Sequence, residues 1–208
     1  LYEKLQQPVA SLVKMQKELC LKIGNEAKKK LESLVSEEVE LKTVSKEIRQ
    51  ELRNLFRQFW LLSKGMPQSK VLRRVRENPD FRKEIEEWNT YFYAEANKEE
   101  KQQVLSQLYM IVDEKASEYE LTDKGIHLWA EQGNSLEDFT MLDLGGAYGE
   151  IDRDLSLSEE QKIEKKVLLA EEDRLRKERA HNLRQLLRAH LLMERDVDYM
   201  VSEGKIVI

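Results

Sequence analysis

The sequence predicts an α+β fold: a predominantly helical domain with two small β-hairpins forming a minor antiparallel sheet. Three observations carry this expectation. Apolar residues recur at three-and-four spacing along most of the 208 residues. Two short segments switch to the alternation of half-buried strands, and Ser, Thr, Asn, Gly and Pro punctuate the boundaries. Hydrophobic residues make up 40% and charged residues 36% of the chain. The charged share exceeds the ~25% of an average domain, yet enough apolar surface remains for a core, which argues against general disorder.

Residues 8–36 read as a long helix, with Pro8 suited to its first turn, Val9, Leu12, Val13, Met15, Leu19 and Ile23 as its stripe, and Gly24 as a point of interruption. A second helix is expected from Ser45 to Lys64, where Ile48, Leu52, Leu55, Phe56, Phe59 and Leu62 form the strongest apolar face and Gly65 supplies a stop. Met66-Pro67 opens a shorter helix ending before Asn78-Pro79. Asn78 then caps a helix that carries Phe81, Ile85, Trp88 and Phe92 on one side. Asn97-Lys98-Glu99-Glu100 reads as a capping box for a helix to about Gln107. The aromatic set of these helices is assigned to the core by its spacing, with Trp60 and Tyr91 off the main stripes.

The period changes at Tyr109. Tyr109–Glu114 and Glu118–Leu121 read as a hairpin, followed by a short helix that Thr122 caps and that carries Ile126, Leu128 and Trp129. Gly133 to about Leu157 reads as a long, mobile connection loosened by Gly145, Gly146 and Gly149. Ser158-Glu159-Glu160-Gln161 is a capping box that starts the longest helix, which runs to about Glu194 with a charged, solvated middle at 171–182. Val197–Val201, the turn Ser202-Glu203-Gly204 and Lys205–Ile208 form the second hairpin.

A net charge of -5 with both signs interspersed makes nucleic acid no default partner. A single cysteine, Cys20, excludes a disulfide framework and a cysteine-rich zinc site and fits a reducing, cytosolic setting. No apolar run approaches the ~20 residues that span a bilayer. The start at Leu1 and the unfinished strand at Lys205–Ile208 predict an excised piece of a larger protein. His127, His181 and His190 offer no His-x-x-x-His pair, and no Gly-x-Ser-x-Gly elbow is present, so neither a metal site nor a histidine triad is expected. Gly145-Gly146-Ala147-Tyr148-Gly149 is followed by Glu150, Asp152 and Asp154, acids that would repel a phosphate. Carboxylate runs such as Glu171-Glu172-Asp173 and Glu86-Glu87 read as solvated faces with partners such as Glu172 to Arg176.

The hairpins suggest a different chemistry. Strand edges on a helical body can take up an extended peptide through main-chain pairing, with alternate side chains sampling apolar pockets. Tyr109, Ile111, Tyr119, Tyr199, Val201, Ile206 and Ile208 would supply that surface. The plainer alternative is that these residues only close the small core, and spacing alone favours that reading.

Two ordered segments weigh between them. Val112-Asp113-Glu114-Lys115 followed by Leu121-Thr122-Asp123-Lys124-Gly125 resembles the hairpin-then-helix signature of the preprotein cross-linking domain of SecA, the ATPase of bacterial protein export. Leu187-Arg188-Ala189-His190, Arg195-Asp196-Val197-Asp198-Tyr199-Met200-Val201 and Gly204-Lys205-Ile206-Val207-Ile208 are similar to the stretch that closes that domain. The resemblance covers roughly 109–128 and 183–208. Residues 1–107 therefore read as an enlarged or lineage-specific helical part, and 108–208 as the part most like the family.

The resemblance implies a module that clamps signal peptide and unfolded preprotein during export through the SecY channel, beside the other SecA domains, at the cytoplasmic face of the membrane. ATP and Mg would belong to the parent protein, since this chain has no Gly-x-x-x-x-Gly-Lys and no cofactor of its own is expected. It also implies that a two-stranded stem falls just outside Leu1 and Ile208. Arg188 and Arg195 lie near the end of the long helix, placed either to favour its negative pole or to meet an acidic partner. The competing expectation is a helical scaffold or adaptor that acts by pairing amphipathic helices. An enzyme is expected least, because no nucleophile, base and oxyanion donors converge.

Overall fold

The computed structural model describes residues 2–36, 39–113, 118–135, 142–193, 197, 199–202 and 204–207. Eight α-helices and two hairpins are seen among them: α1 (Tyr2–Leu34), α2 (Lys46–Gly65), α3 (Lys70–Val75), α4 (Pro79–Tyr93), α5 (Lys98–Leu105), β1 (Met110–Asp113), β2 (Glu118–Leu121), α6 (Asp123–Glu131), α7 (Leu144–Arg153), α8 (Glu159–Leu192), β3 (Met200–Ser202) and β4 (Lys205–Val207). The predominantly helical α+β reading holds. The hairpins do not join, however: β1–β2 and β3–β4 are two separate two-stranded sheets.

α1 is the spine and serves two cores. Its C-terminal half packs Cys20, Ala27 and Leu31 against α2 to α5, in a core centred on Phe56, Phe59, Trp60, Leu62, Phe81 and Phe92. Its N-terminal half packs Leu5, Val9, Leu12 and Val13 against Met110, Trp129, Leu183, Leu186 and Leu187. α1 starts six residues before Pro8, which lies inside it. Leu5, one turn before Val9, is 1% exposed. Its burial continues the stripe across the one hydrogen bond that proline removes near the helix start. Gly24 does not interrupt α1: a Cβ there would stand 3.2 Å from Leu62 Cδ2, so this glycine allows the close approach of α2. Gly65 likewise ends α2 against α1, where a Cβ would meet Leu108 at 2.7 Å and Cys20 Sγ at 2.8 Å.

Most capping expectations hold. The Ser45 side chain accepts from the Ile48 amide, Asn78 accepts from Asp80 and Phe81, Thr122 accepts from Gly125, and Ser158 with Gln161 forms a full capping box. Asn97 differs: no side-chain cap forms, and its Nδ2 donates to the Tyr91 carbonyl at 2.8 Å, which ties α5 to the end of α4 instead. The shorter helix begins at Lys70 under a Ser69 cap, later than Met66-Pro67.

The expected loose connection before α8 contains α7. Asp143 caps the Gly146 amide at 3.0 Å, and a Cβ at Gly146 would stand 2.5 Å from Asp143 Oδ2, so the glycine makes room for the capping carboxylate. Residues 136–141 of that connection lie outside the described residues. The charged middle of α8 is mainly exposed, with Arg176 paired to Glu172 at 2.6 Å, but Asp173 is 4% exposed and paired with Lys177 at 2.6 Å. Trp60, off the stripe in sequence, is 1% exposed; its Nε1 donates to Asn89 Oδ1 at 3.2 Å, which places it in the core. Tyr91 stays on the surface and donates its hydroxyl to Glu100 at 2.9 Å.

Candidate peptide-binding site

The first hairpin is seated in the body by a buried glutamine. Gln16, 1% exposed on α1, donates from Nε2 to the Gly65 carbonyl at 2.9 Å and to the Met110 carbonyl at 2.8 Å. Its Oε1 accepts from the amides of Tyr109 at 3.0 Å and Met110 at 3.2 Å. One side chain thus occupies the main-chain groups that β1 presents away from β2 at Met110, a position where an added strand would otherwise pair. Met110 faces Leu121 and Val112 faces Tyr119 across the sheet. Met110, Tyr119 and Leu121 pack on the second core, and Ile111 on the opposite face packs against the first.

The site residues expected in this hairpin all touch the body. Tyr109 lies partly buried under Lys124, whose Nζ is 4.3 Å from its ring centroid, and the Tyr109 carbonyl accepts from the Thr122 amide and hydroxyl. The Tyr119 hydroxyl donates to the Arg184 carbonyl on α8. Burial pushes the Tyr119 phenol up to about 12, against the opposing pull of Arg184 and Arg188. Arg188 is exposed near the C-terminal end of α8, within electrostatic reach of Tyr119 on the first hairpin.

The second hairpin is the exposed one. Val201 pairs with Ile206 across a two-residue loop in which Gly204 takes φ +75°, as a tight hairpin turn requires. Val197, Met200, Val201 and Val207 are 76%, 57%, 43% and 47% exposed. Tyr199 is half-buried. Ile206 lies in β4 by its backbone, whereas Arg195 and Ile208 lie outside the described residues. The structure thus brings Tyr109, Tyr119 and Arg188 to the α8 side of the first hairpin, leaves Ile111 on the opposite face against the first core, and puts Val201 and Ile206 on a hairpin of their own. Gln16 escaped the sequence reading. Its signal was a lone amide in the apolar stripe between Val13 and Cys20.

Among the described residues no group of three or more His, Cys, Asp and Glu could hold a metal ion, and the three histidines are exposed. Cys20 is buried, which pushes its thiol up to about 12 and keeps it an unreactive core residue. The Gly-rich segment does not fit a nucleotide phosphate, because Asp143 already occupies the start of α7. Among the described residues no helix is long and apolar enough to cross a membrane.

The architecture is thus a helical body with one hairpin seated in it and one hairpin that exposes apolar side chains. The family model of the SecA preprotein cross-linking domain matches residues 88–208, and the chain belongs to that family. It is 51% identical over all 208 residues to the protein translocase subunit SecA of Chlamydia pneumoniae, 51% to that of Chlamydia felis and 47% to that of Chlamydia trachomatis serovar L2. The whole chain is covered in each case, but only 21% of each relative, so the chain spans about a fifth of their length. No solved structure matches it. The family match begins within α4, upstream of the segments that carried the resemblance, and residues 1–87 align with the chlamydial relatives.

Proposed function

We propose that this chain is the substrate-clamping domain of a SecA preprotein translocase, binding signal peptide and unfolded preprotein while the parent protein hydrolyses ATP and feeds the SecY channel. The observation that carries this reading is that the family match spans both hairpins, of which the second presents an exposed apolar strand pair. A module that must hold many unrelated unfolded sequences is best served by main-chain pairing and shallow apolar contact, since neither depends on one side chain. Val201, Ile206 and Ile208 are the assigned contacts on the second hairpin, together with Tyr199. Tyr109, Ile111 and Tyr119 flank the first, and Arg188 and Arg195 meet an acidic partner surface at the end of α8. ATP and Mg act outside this chain, in motor domains at the cytoplasmic face of the membrane.

An amide-shift titration with an unfolded preprotein segment that bears its signal peptide tests the reading. Shifts concentrated at 197–207, with smaller ones at 109–121, are expected. Absence of shifts at saturating peptide would overturn it for this chain.

A second reading is favoured by a separate observation. Ile163, Val167, Leu168 and Leu175 on the N-terminal half of α8 are 63%, 62%, 64% and 47% exposed, a face suited to helix pairing. In that adaptor reading the chain self-associates, and sedimentation across a dilution series would reveal it.

A further inference from the structure

A groove lies between the Ile111/Asp113 side of the first hairpin and the helices α2, α4 and α5. Its two chambers, of about 280 Å³ and about 250 Å³, share Lys64, Tyr93, Val112 and Asp113. Tyr93, 63% exposed, stands where they meet. Lys101 Nζ lies 4.4 Å from the centroid of its ring and Lys64 Nζ 5.7 Å from the same point. Lys64 is also 5.7 Å from the Trp60 ring. Arg76 lines the second chamber, and its Nε is buried without a hydrogen-bond partner.

These cations differ from those of α8. There Lys162, Lys166, Arg174, Arg176 and Lys177 each hold a carboxylate within 3.1 Å. Among the described residues neither Lys64 nor Lys101 has a hydrogen-bond acceptor or an ion-pair partner, and their contacts are with aromatic rings. Burial holds the Lys64 ammonium below the usual lysine range; Asp113 opposes that shift, Lys101 adds to it, Glu86 opposes and Arg76 adds. A partly desolvated ammonium beside a second one is a receptor for an anion, because charge-assisted hydrogen bonds to a carboxylate restore what burial removes.

The facing wall is acidic, with Asp113, Glu120 and Asp123. An extended chain lying between two such walls sends successive side chains to opposite sides. An acidic side chain would then meet α2 and α5 while its neighbours meet the hairpin.

We propose that this groove seats an extended peptide by an acidic side chain, whose carboxylate lies between Lys64 and Lys101 beside the Tyr93 ring. The class of occupant rests on the peptide-binding reading above; its charge rests on the two lysines without an ion-pair partner and on the unpartnered Arg76 Nε. Lys64 and Arg76 come from outside the family match, and Tyr93 and Lys101 from within it, so the site exists only where both parts pack together.

The test uses the whole chain and three capped peptides that differ only in a central Glu, Gln or Lys. The Glu peptide is expected to bind about tenfold more tightly than the Gln peptide, a difference of ~1.4 kcal/mol, with shifts at Tyr93, Lys101 and Val112. That preference should shrink between ~20 mM and ~0.5 M salt. It should disappear in Lys64→Met and fall in Lys101→Gln, a milder change that keeps the test valid if the first variant folds poorly. Tyr93→Phe should retain it. Equal binding of the Glu and Gln peptides, or tighter binding of the Lys peptide, would overturn the cradle and leave the peptide-binding reading standing. No binding by any of the three would overturn both.

Discussion

The first hairpin presses Met110 and Val112 into the body at 0% and 3% exposure, whereas Met200 and Val201 of the second stand 57% and 43% exposed. Both are short antiparallel pairs rich in apolar residues, so strand propensity does not separate them. What separates them is long-range anchoring. The first is held by Gln16 from α1, by Thr122 hydrogen bonds to the Leu108 and Tyr109 carbonyls, and by Tyr119 bonded to α8. The lesson is that one strand pair serves as part of the core while its counterpart keeps apolar surface available, and exposed strand of that kind invites an additional strand.

The largest expected effect comes from removing the glutamine that seats the first hairpin. Gln16→Leu leaves the Gly65 carbonyl and the Met110 amide and carbonyl buried without partners. At ~1–3 kcal/mol for each of these orphaned groups, urea unfolding should show a loss of at least about 3 kcal/mol. If the loss were under ~1 kcal/mol, the hairpin would not depend on this anchor.

Two glycines sharpen the contrast. A Cβ at Gly125 would stand 2.1 Å from the Tyr109 carbonyl oxygen, a backbone atom, and 2.8 Å from Leu121 Cδ2. Gly125→Ala should therefore cost about 2–3 kcal/mol through displacement of the first hairpin. Gly204 has open space around its would-be Cβ and only a φ of +75° to resist substitution, so Gly204→Ala should cost about 1 kcal/mol. A larger loss at Gly204 than at Gly125, measured by thermal melts of both variants, would reverse the ranking of the hairpins.

Tyr119→Phe removes the hydroxyl donated to Arg184 and should cost about 1 kcal/mol. It should also abolish a pH dependence. The phenol titrates near 10.0 when unfolded and at about 12 when folded. The stability linked to it is therefore complete below pH ~10 and is lost as pH rises through ~12. Unfolding midpoints at pH ~9 and ~11 should differ more in the natural chain than in the variant. The smallest effect is expected at the exposed hairpin: Val201→Ser should change stability by under ~0.5 kcal/mol while weakening peptide binding.

Much of the fold was legible in local chemistry. Asn78-Pro79, Ser158 to Gln161 and Thr122 marked helix starts because capping is a matter between residues two or three apart. The stripes of α2 and α4 named Phe56, Phe59, Phe81 and Phe92 as core because helical spacing puts them on one face. α7 was not legible: its glycines read as a loose segment, and only the Asp143 cap shows how they fit a helix. Ile111, Tyr119, Val201 and Ile206 of the candidate site were legible as strand residues, but not which hairpin would be seated and which exposed.

The sequence by itself determined every helix but α7, the two hairpins, the turn at Gly204 and the family, since each depends on neighbours along the chain or on ordered motifs. The tertiary structure decided the rest. It placed Gln16 against Met110 across 94 residues, turned Trp60 inward against Asn89, and gathered Lys64, Tyr93 and Lys101 from three helices into one groove. Such meetings depend on how faces pack at a distance, and a single buried hydrogen bond or an unpaired cation acquires its meaning only once the surroundings exclude water.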